Sequence, residues 1–176
     1  YRTEHINPLS GCLPMLVSFP VLIAMFAAMR MVANTQLAHQ AIDLITYGTQ
    51  TNEGWLWVKN LWMPDSPFSS VIANQSSLKV ITDDIWSKVY QSLPTDQLSI
   101  LNQLQITADT INGETIFAAL QNTAAYAEEM TAWATMPELN LIFTKLTIYA
   151  HNNGFFILPV LAAVTQFLMT LTQPQT

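Results

Sequence analysis

Two stretches of the chain lack any alternation of polar and apolar positions. Nineteen residues from Gly11 to Met29 carry no charge, and neither do eighteen from Gly154 to Leu171. At about 1.5 Å of rise per residue the first reaches roughly 28 Å, close to the hydrocarbon thickness of a bilayer. The pattern predicts transmembrane helices over 11–30 and 154–172. A 176-residue domain has little room to bury two helices that are apolar on every side. A cleaved signal peptide fits the first run poorly: its apolar part is too long, and Arg30 follows it where a small-residue cleavage site should stand. Two spans place the flanks 1–10 and 173–176 on one side of the membrane and residues 31–153 on the other.

Between the runs the pattern is amphipathic. Residues 34–47 set Leu37, Ala41, Leu44 and Ile45 on one helical face. A polar break from Gly48 to Gly54 leads into "WLWVKNLWMPDSP", Trp55 to Pro67, with three of the five tryptophans. An indole wants apolar contact for its ring and a partner for its N–H, so Trp collects at membrane–water boundaries. This segment, with Trp55, Trp57, Lys59, Trp62, Pro64 and Asp65, is expected to lie against the bilayer surface, and its Pro-Asp-Ser-Pro marks a turn. One helix from Ser76 or Ser77 to Leu93 is predicted with Leu78, Ile81, Ile85 and Val89 as its stripe, and another from Thr95 with Leu98, Leu101 and Leu104. The longest is expected near Glu114–Met136, burying Phe117, Leu120, Ala124, Ala127, Met130 and Trp133. Pro137 suits the first turn of a further helix carrying Leu139, Ile142, Phe143 and Leu146. Asn152-Asn153-Gly154 caps or kinks the join into the second run. The fold class is therefore all-α: two transmembrane helices and a helical subdomain outside the bilayer. No internal repeat is present.

Prolines interrupt both apolar runs. Pro20 lacks an N–H and frees the carbonyl of Leu16, and Pro159 acts alike in the second run. In lipid the freed groups need partners other than water, so such breaks belong beside neighbouring helices or a wet cavity. Ser18 and Thr165 either face such a cavity or bond to their own helix backbone. Gln166 is harder to hide and should face protein or water.

Composition changes the picture in one respect. The chain is 51% hydrophobic and 10% charged, against about 25% charged in soluble domains. Residues 31–153 hold eleven of the twelve acids and four of the six basic residues, netting −7. There is no basic patch, which excludes nucleic acid as a partner. Arg2 and Arg30 flank the first run and give no clear orientation by charge. No phosphate-binding loop or His-Glu-x-x-His motif occurs, and His5, His39 and His151 are scattered. Asp83-Asp84 and Glu128-Glu129 read as solvated helix faces. The single cysteine, Cys12, sits in greasy surroundings and reads as packing. No cofactor, metal or enzymatic chemistry is expected.

"NPLSGCLPMLVSFPVLIAMF", Asn7 to Phe26, resembles the second conserved span of the YidC/Oxa1/Alb3 family of membrane protein insertases, with Asn, Gly, Cys and two prolines in the family's order. "WLWVKNLWMPDSP" resembles the loop after that span, and "FFILPVLAAVTQFLMT" the start of the next conserved span. About 60 of the 176 residues carry the likeness. It implies an N-terminal side in the cytoplasm of a bacterial cell and an exterior 34–153, in a multi-pass protein of the inner membrane. It also implies a hydrophilic groove, open to cytoplasm and lipid, that helps client membrane proteins insert, translocate and fold without ATP. Cys12, Pro14, Met15, Ser18, Pro20, Thr165 and Gln166 would then line the groove wall. Client membrane proteins, the bilayer, and further the secretion channel and the ribosome are the partners it implies.

Three departures stand beside the likeness. Ser18 occupies a position where the family often has Gln. Residues 71–153 have no counterpart in the commonest members. The groove's basic residue belongs to a span that is not in this sequence, and Arg30 does not replace it. The chain begins without Met and stops just after the second run, so a piece of a longer protein is expected. Two rival readings remain: a helical binding module tethered outside the membrane by two spans, and a soluble carrier whose apolar runs line a cavity.

Overall fold

The computed structural model describes residues 9–132, 139–141, 144–146 and 151–172, with side chains described for 18–128, 130, 131, 140 and 151–172. One helix, α1, runs unbroken from Leu9 to Tyr47, through Pro14 and Pro20. Its 39 residues correspond to about 58 Å. The change of pattern along it decides its surroundings. Every residue from Ser18 to Val32 is exposed, whereas Leu37, Ala38, Gln40, Ala41, Ile42 and Leu44 are buried. The predicted 34–47 helix is thus the C-terminal part of the first apolar helix, continuous with it.

The buried half of α1 is the pillar of a helical head. Around it stand α2 (Gln75–Lys79), α3 (Asp83–Ser92), α4 (Thr95–Gln103) and α5 (Gly113–Gln121). Ile42, Leu78, Trp86, Val89, Leu101, Ile116 and Leu120 close the core with almost no exposed surface. Each such side chain contributes about 1.5–3 kcal/mol relative to exposure. Asn74 and Asn112 cap α2 and α5, their side chains accepting from the N–H groups of Ser77 and Thr115 at 2.9 and 3.0 Å. At Gly113 a β-carbon would stand 2.4 Å from the Leu78 carbonyl oxygen, so α2 and α5 approach only because that position is glycine.

Several expected helices are shorter than predicted. The 76–93 stripe is buried at Leu78, Ile81, Ile85 and Val89, but the backbone breaks at Val80–Thr82. Three consecutive β-branched residues weaken the helix there, and Asp83-Asp84 favour a new N-terminus. The expected 114–136 helix divides into α5 and α6 (Ala124–Ala132). Asn122 ends the first, and the Thr123 hydroxyl accepts from Tyr126 N–H at 3.1 Å to start the second. Leu120 and Ile116 are buried and Phe117 half-buried, while Ala124, Ala127 and Met130 are exposed. Trp133 lies outside the described residues.

The helix expected after Pro137 is absent. Its place holds an antiparallel pair, β1 (Leu139–Leu141) and β2 (Thr144–Leu146), with Leu139 opposite Leu146. Leu-Asn-Leu alternates with period two, and the second segment is bordered by β-branched residues, both of which favour a strand. Apart from this pair, the regular elements described are all helical.

The last helix, α7 (Ile157–Thr172), has 16 residues, about 24 Å, and is exposed from Pro159 onward. It starts three residues later than the predicted span because Gly154–Phe156 are held outside it. Ser18–Tyr47 within α1 is the one segment described that is long and apolar enough to cross a bilayer. Extensive packing between α7 and the helices of the head is not observed among the described residues.

Candidate functional site

The loop after α1 is tied to the start of α7 by buried amides. Asn60 and Asn153 have no exposed surface. Asn60 N–H donates to Asn153 Oδ1 at 2.7 Å, and Asn153 Nδ2 donates to the carbonyls of Asn60, Met63 and Pro64 at 2.8, 2.9 and 3.1 Å. Asn60 Nδ2 donates to Gln40 Oε1 on α1 at 2.9 Å and to the Val71 carbonyl at 2.8 Å. Its Oδ1 accepts from Trp62 N–H at 3.0 Å. Gln40 reaches on to the Thr51 carbonyl at 3.2 Å. Three side-chain amides therefore join α1, the Trp-rich loop and the chain entering α7. Such groups are costly in a core unless bonded, and here each is bonded.

Asp65 completes the junction. Its Oδ1 accepts from Phe155 N–H at 2.9 Å, and its Oδ2 from Leu158 N–H at 2.8 Å and Trp57 Nε1–H at 3.4 Å. It thus satisfies N–H groups at the N-terminal end of α7. Desolvation pushes the Asp65 carboxyl upward, but the N–H groups of Leu158 and Phe155, with Trp57 and Phe156, outweigh it and hold it below the ordinary aspartate value. A β-carbon at Gly154 would stand 1.9 Å from Asp65 Oδ1, so the carboxylate occupies the space a side chain would need. Ser70 bridges to Asn152, and Asn153 N–H donates to the Ser69 carbonyl at 2.9 Å. Residues 71–151 thus leave and rejoin the loop through a narrow neck.

Val58 and Met63 of the Trp-rich loop are buried, Met63 in the core of the head, while much of the rest turns outward. Trp55 and Val58 exchange backbone hydrogen bonds of 2.9 and 3.0 Å around Leu56, whose φ is +55°. Trp55, Leu56, Lys59, Leu61 and Pro64 are exposed, and Trp57, Trp62 and Asp65 are half-buried. Leu61 and Trp62 meet the exposed face of α1 across an open apolar groove of about 1130 Å³, which also takes in Ile23, Phe26, Ala27 and Arg30.

The family model described as 60Kd inner membrane protein matches residues 1–111. The chain belongs to that family. Its curated relatives include proteins named "Membrane protein insertase YidC" from Chlorobium limicola, 38% identical over 66 residues, and Herminiimonas arsenicoxydans, 34% over 70. One from Endomicrobium trichonymphae is 39% identical over 66 residues. These alignments cover 38%, 40% and 37% of this chain and 9%, 10% and 10% of the relatives, so the chain spans about a tenth of their length. No solved structure matches it significantly.

In this member of the 60Kd inner membrane protein family the expected groove residues fall on two helices. Cys12, Pro14 and Met15 lie in the first turns of α1, where the backbone is helical and side chains are outside the described set. Ser18 and Pro20 are exposed on α1. Thr165 and Gln166 are exposed on α7, and the Thr165 hydroxyl donates to the carbonyls of Leu161 and Ala162 at 2.8 and 2.9 Å. The threonine thus satisfies its own helix. No group of three or more His, Cys, Asp or Glu gathers among the described residues. Sequence reasoning singled out Asp65 and the Asn-Asn-Gly join but missed Asn60 and Gln40 as their partners. The available signal was Asn60 itself, an amide between apolar Val58 and Leu61–Met63.

Proposed function

We propose that the chain is the part of a membrane protein insertase that supplies two neighbouring spans and an exterior head. The observation that carries this reading is the division of α1. Its apolar turns from Ser18 to Val32 are exposed, and its turns from Leu37 onward are buried in the head. An exposed apolar surface of that length is stable in lipid and unfavourable in water. Lipid then surrounds the inner half, and the Trp-rich loop lies at the boundary. Family membership and the relatives named as YidC insertases supply the activity.

The assignment follows as one arrangement in the bacterial inner membrane. α1 crosses from a cytoplasmic N-terminal side, and α7 returns as a second span of a multi-pass protein. Residues 11–30 and 154–172 form the membrane part, and 31–153 lie outside. Cys12, Pro14, Met15, Ser18 and Pro20 on α1, with Thr165 and Gln166 on α7, border a hydrophilic groove completed by other spans. A polar client segment enters that groove while its apolar segment moves into lipid along the helices. Burial of the client span, at about 25 cal/mol per Å², drives the step without ATP. Trp55, Trp57, Lys59, Trp62, Pro64 and Asp65 hold the exterior edge. The secretion channel and the ribosome are partners of the same reading.

The test uses the full-length protein in an insertase-depleted strain. Photo-reactive residues at Ser18 and Gln166 are expected to capture nascent client chains, and the wild type is expected to restore growth. Stable expression without either result overturns the reading. A second reading, a tethered binding module, is favoured by the independent core of the head. Capture of partners by the head with no client capture at Ser18 or Gln166 would select it.

A further inference from the structure

The groove between the exposed face of α1 and the Trp-rich loop has chemistry the insertase reading leaves unused. Ile23, Phe26 and Ala27 give it an apolar floor, Leu61 and Trp62 an apolar rim, and Arg30 its single charge. Arg30 is the sole basic residue between Ser18 and Val58. The ion pairs among the described residues are Lys79–Glu114 and Lys88–Asp84, neither involving Arg30. From Ile23 to Arg30 the helix rises about 10 Å, within the depth of one leaflet. An arginine at the edge of an apolar belt extends its stem along that belt and its guanidinium towards the headgroups, where it takes a phosphate in a bidentate fashion. Leu61, half-exposed at the groove's rim, and the indole of Trp62 beside it suit that boundary.

We propose that this groove is a site for one anionic phospholipid, its phosphate on Arg30 and an acyl chain along Phe26, Ala27 and Ile23 beneath Trp62. Charge complementarity selects the occupant: phosphatidylcholine offers the same phosphate but brings its own cation to it, so a net-anionic headgroup neutralises the guanidinium better. A client helix gains apolar contact from the same floor but leaves the guanidinium without an anion, and free phosphate leaves the floor bare. The bound lipid would fill the space between α1 and the loop and fix the loop at the membrane surface. This inference rests on α1 crossing the membrane, and carbonate extraction of the wild type tests that premise separately.

Full-length protein purified in mild detergent is loaded with phosphatidylglycerol or phosphatidylcholine and read by native mass spectrometry. Wild type is expected to retain one phosphatidylglycerol in preference to phosphatidylcholine. Arg30→Gln is expected to lower that retention at least fivefold, Arg30→Lys to keep most of it, and Ala27→Trp to displace both lipids. Excess inorganic phosphate is expected to leave the complex intact. A photo-reactive residue at Ala27 in cells should yield a lipid-sized adduct. Equal retention by Arg30→Gln, displacement by phosphate, or a protein-sized adduct at Ala27 each overturns the proposal. If carbonate extracts the wild type, the membrane reading fails; if the protein stays in the membrane but Arg30→Gln changes nothing, the lipid site alone fails.

Discussion

Asn60 and Asn153, 93 residues apart, bond reciprocally: the backbone N–H of the first meets the side-chain oxygen of the second, whose amide nitrogen returns to the first one's carbonyl. Both are fully buried, so water does not replace a lost partner. Asn153→Ala leaves the Asn60 N–H and the Met63 and Pro64 carbonyls without these partners, while the Asn60 carbonyl keeps its bond from Met63 N–H. The change is expected to cost about 2–4 kcal/mol of stability, given ~1–3 kcal/mol per unsatisfied buried group. Chemical denaturation of the detergent-solubilised protein measures it.

Gly154→Ala is expected to eject the Asp65 carboxylate, because the new β-carbon overlaps Asp65 Oδ1. Phe155 and Leu158 then lose their acceptor. Hydrogen exchange at these two amides should accelerate at least tenfold, while the amides of α5 keep their protection. In a double-mutant cycle, Gly154→Ala and Asp65→Ala together should cost clearly less than the sum of the single changes.

Acid should loosen the same junction. The folded-state value of Asp65 lies below its ordinary value, so its contribution is present above the unfolded aspartate range and is lost as pH falls through the folded value. The start of α7 is therefore expected to hold at neutral pH and to lose protection below about pH 4. Asp65→Asn should remove this acid-dependent component and leave the protection of Phe155 and Leu158 low at every pH.

Trp86 offers a test of the core. It is fully buried, and its Nε1–H has no hydrogen-bond partner among the described residues. Trp86→Phe removes a costly unpaired donor along with some apolar volume. The two effects oppose each other, so the change is expected to cost less than about 1.5 kcal/mol, whereas Trp86→Ala should cost about 3–5. Thermal unfolding of the two variants separates these outcomes.

The parts that were legible in the sequence are those where periodicity reports burial directly. Leu37, Ala41 and Leu44 on α1, and Leu78, Ile81, Ile85 and Val89 in the head, are buried as their spacing predicts. Helix ends were less legible. The break at Asn122-Thr123 depends on a hydroxyl cap, and a helix stripe passes over it without a change of period. The strand pair at Leu139–Leu146 lies where Pro137 and the helical spacing of Leu139, Ile142, Phe143 and Leu146 point to a helix instead. At the candidate site, Asp65 could be read as a turn residue. That it holds an element 93 residues away could not, because the pairing depends on how residues 71–151 close on themselves at Ser70 and Asn152.

The unbroken course of α1 has a mechanical corollary. With α1 crossing the bilayer as proposed, the post that emerges from it is also the central beam of the domain above, with no joint between Val32 and Leu37. Tilting or rolling the rod among the lipids must swing the whole head with it, so a body landing on the head could be felt below as torque.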